Sequence, residues 1–515
     1  MYVTQGLHRA VQQTPELPAT IFRGRVRTWA ECADRVARLA GALRDIGVRP
    51  ADRVAMLALN SDRYHEYLFA VPWADAVLNP VNVRWSPAEI AYSLIDSDTR
   101  VLILDDAFAP MLPALREHYD GLSTVIYCGD GLCPDGMLSF EELIAGHEPV
   151  EDAGRGGAEL AGIFYTGGTT GAPKGVMLSH AGLMTSALGF TAHGDTMTPA
   201  GNLLHVAPMF HLADIGAWMS RNCLGGTHVI VPMFDAAAVV DAISRYGVTD
   251  VLLVPTMIQM LVNSPATREA DLSSVRHLIY GASPISETLL DRVEKLLPAA
   301  GLVQAYGMTE LSPVVTLLDA ESHQDATLRR SAGRAAPHAQ VRIVDETGVE
   351  VPRGTVGEVA VRGGHVMLGY WNRPDATAHA LRGGWMHTGD GAYMDECGYV
   401  FIVDRLKDMI VSGGENVYPA EVENALAKHP AVAACAVIGV PDREWGERVH
   451  AIVVSEQGVP ATADELREHC KTVIAGYKAP RSVEFVEQLP ISGAGKILKR
   501  ELRAKYWPAG DRAVH

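Results

Sequence analysis

The sequence predicts an α/β protein: a large N-terminal domain of layered α/β sheets carrying a small β-rich subdomain, followed by a small C-terminal α+β domain. Three observations predict it. Short apolar runs alternate with one-faced helical patterns through the first two thirds of the 515 residues, the pattern left by mostly parallel sheets covered with helices. After about Gln340 the texture shifts to shorter alternating strands and turns. From Leu406 onward a separate set of helices and strands follows. These shifts divide the chain into residues 1–404 and 405–515, joined by a hinge around Asp404 to Asp408.

The elements follow in order. Thr28 with Glu31 three residues on forms a capping box, and Val36, Leu39, Ala40 and Leu43 give the helix behind it one apolar face, stopped at Gly47. The runs Val54 to Leu59, Val101 to Leu104, Val125 to Cys128, Ile163 to Tyr165, Val229 to Val231, Val251 to Val254 and Leu278 to Tyr280 read as buried strands. Val341 to Val344, ahead of the turn Asp345 to Gly348, and Val356 to Val361 read as strands of the subdomain. The C-terminal unit reads as a helix opening at Pro419, strands Cys435 to Val440 and His450 to Val454, a helix from Ala463 to Ile474, and a strand near Val483 to Val486.

Composition excludes several function classes. Lys and Arg total 44 against 61 acidic residues, a formal net charge of -17, which argues against broad binding to nucleic acid or an anionic membrane and for small-molecule partners. The seven cysteines are scattered and never spaced Cys-x-x-Cys, so neither a disulfide framework nor a zinc cluster is expected. Met1 to Arg25 lacks the pattern of a secretory signal. The longest nearly apolar run, Val251 to Val262, contains Pro255 and Gln259 and is too short to cross a bilayer. A cytoplasmic protein without an integral membrane segment is expected.

The most informative segment is Tyr165 to Gly175. Gly167, Gly168 and Gly171 let backbone approach an anion, Thr166, Thr169 and Thr170 supply hydroxyl donors, and Lys174 supplies charge. The apolar run before it delivers this loop to one end of a sheet. It is no Walker loop, because Pro173 stands where that pattern needs glycine before Lys174. A second segment runs Gln304, Ala305, Tyr306, Gly307, Met308, Thr309, Glu310. Its ring can stack on a base, its hydroxyl can meet a phosphate and its carboxylate can meet Mg²⁺, although taken alone the segment is equally a helix start.

Thr388-Gly389-Asp390 offers a carboxylate for ribose hydroxyls, and Arg405, in Asp404-Arg405-Leu406-Lys407-Asp408, a second ribose contact. Either alone is an ordinary surface turn. Near the end, Lys496 sits on the glycine turn Ser492-Gly493-Ala494-Gly495, and by itself would be a solvated lysine.

Taken in order, Thr166 to Gly175, Tyr306 to Glu310, Thr388 to Asp390, Arg405 and Lys496 resemble the adenylate-forming superfamily of acyl-CoA synthetases, luciferases and peptide-synthetase adenylation domains, over nearly the whole chain. The resemblance implies ATP-dependent activation of a small-molecule carboxylic acid through an acyl-adenylate to its coenzyme A thioester, releasing AMP and pyrophosphate. It implies that Lys496 bridges the carboxylate and the α-phosphate. It assigns the β- and γ-phosphates to the threonines and Lys174, Mg²⁺ to Glu310 and Thr170, and the adenine wall to Gly281, Ala282 and Ser283.

It further implies a mobile small domain turning at Lys407, so that Gly413 and Gly414 line a pantetheine channel with Trp445, Tyr477 and Arg84 near CoA. His211 would close an acyl pocket lined by Leu212, Ile215 and Val314, whose segments carry Asp214 as their one charge, so an acid with an uncharged acyl tail, fatty or aryl, is expected. Related enzymes are often dimers, and a homodimer is compatible with this reading. Two alternatives stay open: an adenylation enzyme loading a carrier protein, and a catalytically dead nucleotide-binding regulator.

Overall fold

A computed structural model of the chain describes residues 1–166, 173–283, 285–405, 408–412, 415–493 and 495–507. Among them the strands form four sheets. The first has the order Arg334–Ala335, Val314–Leu318, Gly301–Gly307, His277–Gly281, Asp250–Leu253, Asn202–His205, Thr227–Ile230, Pro18–Phe22, Arg25–Thr28, with the six strands from Gly301–Gly307 to Pro18–Phe22 parallel. The second runs Gly369–Tyr370, Lys174–Ser179, Leu160–Thr166, Val77–Pro80, Arg53–Leu57, Val101–Leu104, Thr124–Tyr127, Leu138–Ser139. It is parallel from Leu160–Thr166 onward and antiparallel at the other edge.

The helix Asp62–Trp73 is buried along its whole length, and one apolar cluster takes Phe22 and Ile230 from the first sheet together with Met56 and Phe164 from the second. Two parallel sheets therefore share a core through the helices between them, which is why their strands read as continuous apolar runs. Thr28 makes the expected capping box at the helix Trp29–Asp45, a feature worth about 1 kcal/mol.

The third sheet is wholly antiparallel: Gln340–Val344, Gly357–Arg362, Met386–Met394, Val400–Arg405. The fourth is built only from residues after Arg405. Glu415–Val417, Ile410–Ser412, Gly446–Ser455 and Val432–Asp442 are antiparallel neighbours, and Ser482–Val486 joins Gly446–Ser455 in parallel. Helices Pro419–Ala427 and Ala463–Val473 close its apolar face. No helix among the described residues is long and apolar enough to cross a membrane.

Candidate active site

The strand Leu160–Thr166 does carry the glycine-threonine loop to a sheet end, but the chain returns as an antiparallel strand, with Thr166 opposite Lys174. The described chain thus leaves and re-enters the sheet as adjacent antiparallel strands. Gly167, Gly168, Thr169, Thr170 and Gly171 lie outside the described residues. At the returning end the Lys174 ammonium stands 5.0 Å from the centre of the Tyr370 ring, and the Tyr370 hydroxyl donates to Glu310 Oε1 at 2.8 Å. Glu310 and Tyr370 are buried. Burial, then the Glu310 carboxylate, push the Tyr370 hydroxyl far above its usual range, so it stays a donor.

The segment Gln304 to Glu310 is a strand end, Gly301–Gly307, followed by the start of a single-turn 3₁₀ helix, Thr309–Leu311, so the helix start that its composition also allowed is realised only as that one turn. Gln304 and Ala305 pair with Tyr280 and Gly281 of the neighbouring strand. A Cβ on Gly281 would stand 2.1 Å from the Ala305 carbonyl oxygen, so only glycine fits beside this strand. Ala282 follows with φ of +67°, turning the backbone toward Ser283. Met308 links Gly307 to this turn with extended backbone. The Tyr306 hydroxyl donates to Asp390 Oδ2 at 2.8 Å, and Asp390 lies opposite Arg405 across its strand pair. Three segments far apart in sequence thus meet as one wall: an aromatic face, a carboxylate anchored at one oxygen, and the strand that carries Arg405.

Lys496 arrives from the other domain. It sits on a hairpin closed by Ser492 N–H to Lys496 O at 2.7 Å and by the Ile491–Ile497 bridge. The hairpin touches the large domain. Thr256 Oγ1 donates to the Gly495 carbonyl at 3.2 Å, Arg84 Nη1 donates to the Ser492 carbonyl at 3.4 Å, and Gly493 packs against the Asn82 amide. Lys428 of the small domain adds an ion pair to Glu287 of the large one at 3.1 Å. The His211 imidazole has its pKa pushed down to about 4, first by burial and then by the Lys496 charge.

His211 caps the helix Leu212–Leu224, its Nδ1 accepting from Ala213 N–H at 3.2 Å. Leu212 and Ile215 are buried in that helix's first turn. Val314 shares an apolar cluster with Ala217, Phe190, Ile279 and Val303, and Gly216 packs on Pro313 closely enough that a Cβ would stand 2.8 Å from Pro313 Cδ. Asp214, the one charge of these segments, is buried and paired with His205 at 2.7 Å. His205 continues to His228 at 2.8 Å and His228 to Asn222 at 3.0 Å, a chain that clamps both ends of the helix to the sheet below it.

Other expected residues are not gathered here. Trp445 packs on the Arg481 guanidinium at 4.0 Å, and Tyr477 is 43 % exposed beside Lys478; both contacts lie within the small domain. Arg84, expected near CoA, contacts the lysine hairpin instead in this arrangement. Lys407, Gly413 and Gly414 lie outside the described residues. Sequence reasoning missed Tyr370, which joins Lys174 to Glu310. Two aromatics and an amide in a row after a glycine, Gly369-Tyr370-Trp371-Asn372, were the available signal.

Among the described residues no group of three or more His, Cys, Asp or Glu could hold a metal ion. Mg²⁺ fits only as the partner of a nucleotide, held by phosphate oxygens and one protein carboxylate, a usual pattern for that ion. The Glu310 carboxylate, whose Oε1 accepts from the Tyr370 hydroxyl, has the oxygen chemistry that such an ion takes.

The AMP-binding enzyme family model matches residues 7–371, and the AMP-binding enzyme C-terminal domain model matches residues 421–496. A feruloyl-CoA synthase of an Amycolatopsis species is 42% identical over 499 residues, 97% of this chain and 98% of its own length. A fatty acid–[acyl-carrier-protein] ligase of Streptomyces coeruleorubidus is 36% identical over 512 residues, 98% of this chain and 96% of its own. Among solved structures, an anthranilate CoA ligase in complex with anthranoyl-AMP matches with a TM-score of 0.92 at 27% identity, covering 98% of this chain and 97% of that one.

Proposed function

The chain belongs to the AMP-binding enzymes of the adenylate-forming superfamily, and from that membership we propose that it joins an aryl carboxylic acid to coenzyme A at the cost of ATP. A carboxylate oxygen attacks the α-phosphorus, the bond from that phosphorus to the bridging oxygen breaks, and pyrophosphate leaves an acyl-adenylate. The thiol sulfur of CoA then attacks the acyl carbon, the anhydride C–O bond breaks, AMP departs and the thiol proton passes to solvent.

The first step brings two anions together, and oriented cations and donors must offset their repulsion. Lys496 spans the carboxylate and the α-phosphate, and Lys174 with the threonines of the hairpin loop holds the β- and γ-phosphates. Glu310, with Thr170, holds Mg²⁺, which when bound draws charge from the phosphate oxygens. Tyr306 stacks on the adenine, and Asp390 and Arg405 take the ribose. His211, neutral because Lys496 and burial disfavour its charge, closes the acyl pocket without adding a second cation beside the carboxylate. For the second step the small domain turns at Lys407, withdrawing Lys496 and bringing up Gly413 and Gly414. A reaction that consumes ATP and CoA belongs in the cytoplasm.

The observation that carries this reading is the seating of the Lys496 hairpin on the large domain, where Thr256 Oγ1 donates to the Gly495 carbonyl at 3.2 Å and Arg84 Nη1 to the Ser492 carbonyl at 3.4 Å. An uncharged acyl tail is favoured because Asp214, the one charge of the lining segments, is paired with His205. An aryl acid is favoured over a fatty one because the feruloyl-CoA synthase and the anthranilate ligase act on ring acids by their names. The test is a panel of cinnamates, benzoates and fatty acids of graded length, scored for AMP and thioester on adding CoA. Adenylate that stays unchanged with CoA and loads a carrier protein would replace the acceptor. No ATP–pyrophosphate exchange with any acid would reject the enzyme reading.

A further inference from the structure

Asp96 ends the helix Pro87–Asp96 and belongs to none of the nucleotide motifs, yet it is tied to two of them. Its carboxylate Oδ2 accepts the Tyr165 hydroxyl at 2.7 Å. Its backbone carbonyl accepts the Trp371 indole N–H at 2.8 Å and the Asn372 side-chain N–H at 3.2 Å. The Arg373 guanidinium stands 3.9 Å from the other carboxylate oxygen, and the Asp96 side chain is only 13 % exposed. One arm therefore ends on Tyr165, beside the Thr166 from which the glycine-threonine loop departs. The other ends on Trp371, which donates its own N–H to the Gly175 carbonyl at 2.7 Å and directly follows the Tyr370 that holds Lys174 and Glu310.

We propose that Asp96 is a positioning residue for the triphosphate: through Tyr165 and Trp371 it fixes the spacing between the start of the loop and the Lys174–Glu310 pair. The inference rests on the proposed function, in which those groups hold the β- and γ-phosphates and their metal. Lys174 begins a strand rather than a helix, and glycine leaves the backbone many conformations, so anchors at Tyr165 and Gly175 matter for where the flanking residues stand. The Asp96 carboxylate anchors the Tyr165 side, a hydrogen bond of the stronger, charge-assisted kind, and its backbone carbonyl anchors the Trp371 side. The Tyr165 phenol stays protonated, because burial and then the Asp96 carboxylate raise its pKa far above its usual range, so the tether holds across the working pH.

The experiment compares Asp96→Ala, Tyr165→Phe, their double variant and Asp96→Asn. Asp96→Ala should raise the KM for ATP about tenfold and slow ATP–pyrophosphate exchange. The KM for the acid, and thioester formation from supplied acyl-adenylate, should stay within about twofold. Tyr165→Phe, which keeps the ring and its packing, should give the same pattern, so the reasoning stays exposed to test even where Asp96→Ala fails to fold. The double variant should be no worse than Asp96→Ala, because both cut one tether. Asp96→Asn keeps an acceptor oxygen for Tyr165 and should recover most of the loss. ATP affinity measured by calorimetry on the same variants should follow the KM values. Losses spread equally over both half-reactions, a rise in the acid KM, or additive losses in the double variant would overturn the assignment. Exchange by the wild type with unchanged ATP binding in the variants refutes Asp96 alone, whereas a wild type that never exchanges pyrophosphate takes the proposed function down with it.

Discussion

Replacing Gly495 by alanine should disable adenylation while leaving the small domain folded. Gly495 has φ of +76°, and a Cβ there would stand 2.6 Å from Val254 Cγ2 and 3.0 Å from Thr256 Oγ1, both in the large domain. The left-handed backbone costs an alanine roughly 1–2 kcal/mol, and the hairpin bears that cost docked or undocked. Overpacking costs typically about 1–3 kcal/mol, and it arises only where the hairpin meets Val254. That second cost works against the docked arrangement alone, lowering its share about 5- to 150-fold. Pyrophosphate exchange should fall by that factor, and thioester formation from supplied acyl-adenylate by much less. A second change, Val254→Ala, removes the atom that clashes and should restore most of the exchange rate. An unaffected exchange rate in Gly495→Ala, an equal loss in both half-reactions, or no rescue by Val254→Ala would refute docking of this hairpin as the adenylating arrangement.

Lys496→Ala should lower exchange by about 10²–10³, the scale for deleting one charge-stabilising donor, and spare the thioester step; parallel loss in both would refute that division. Tyr370→Phe removes the donor to Glu310 but keeps the ring under Lys174, and should weaken binding of ATP with Mg²⁺ about tenfold, with Tyr370→Leu weaker still; equal affinities for the two variants would deny the ring contact any role. Stability should fall in acid: His180 is buried and held at a pKa of about 4 against an ordinary 6.5, chiefly by burial. Between those values the unfolded chain binds more protons than the folded one, so stability drops as pH falls from 6.5 through 4, by up to about 3 kcal/mol for this group. A melting temperature constant from pH 7 to pH 4.5 would contradict it.

What the sequence could show was set by how local each feature is. Val101–Leu104 occupies the expected residues, and the other central strands differ by a few residues at their ends, because a strand buried on both faces is a bare apolar run. The strand Asn202–His205 escaped notice because polar residues sit at both its ends, and their partners, Thr249 and Asp214 for example, are remote in sequence. The edge hairpin Pro18–Phe22 with Arg25–Thr28 escaped for a related reason: it joins the sheet through Thr227–Ile230, some two hundred positions on. Lys174, Tyr306, Glu310 and Asp390 stood out because each lies in a short segment of distinctive chemistry. Asp96 and Tyr370 did not, since what marks them is a set of hydrogen bonds between segments far apart in the chain.

The hairpin form of the phosphate loop bears on why a second domain is needed at all. A loop that opens a helix borrows positive potential from the helix N-terminus. Here six strand residues, Lys174–Ser179, separate the loop from the next helix, about 20 Å at the strand rise and well beyond the screening length of about 8 Å. Charge for the triphosphate must come from side chains, and in the proposed reaction it comes from Lys174 on one body and Lys496 on the other. Adenylation is then conditional on docking, because neither lysine alone offsets both anions. Once the acyl-adenylate has formed, the carboxylate charge that Lys496 met is consumed in the anhydride and the neighbouring charge of pyrophosphate has left, so the same electrostatics that close the small domain for the first step release it for the second. Added pyrophosphate should accordingly protect the 404–408 segment from proteolysis in the presence of acyl-adenylate, and protection that is indifferent to pyrophosphate would separate domain rotation from the charge at the site.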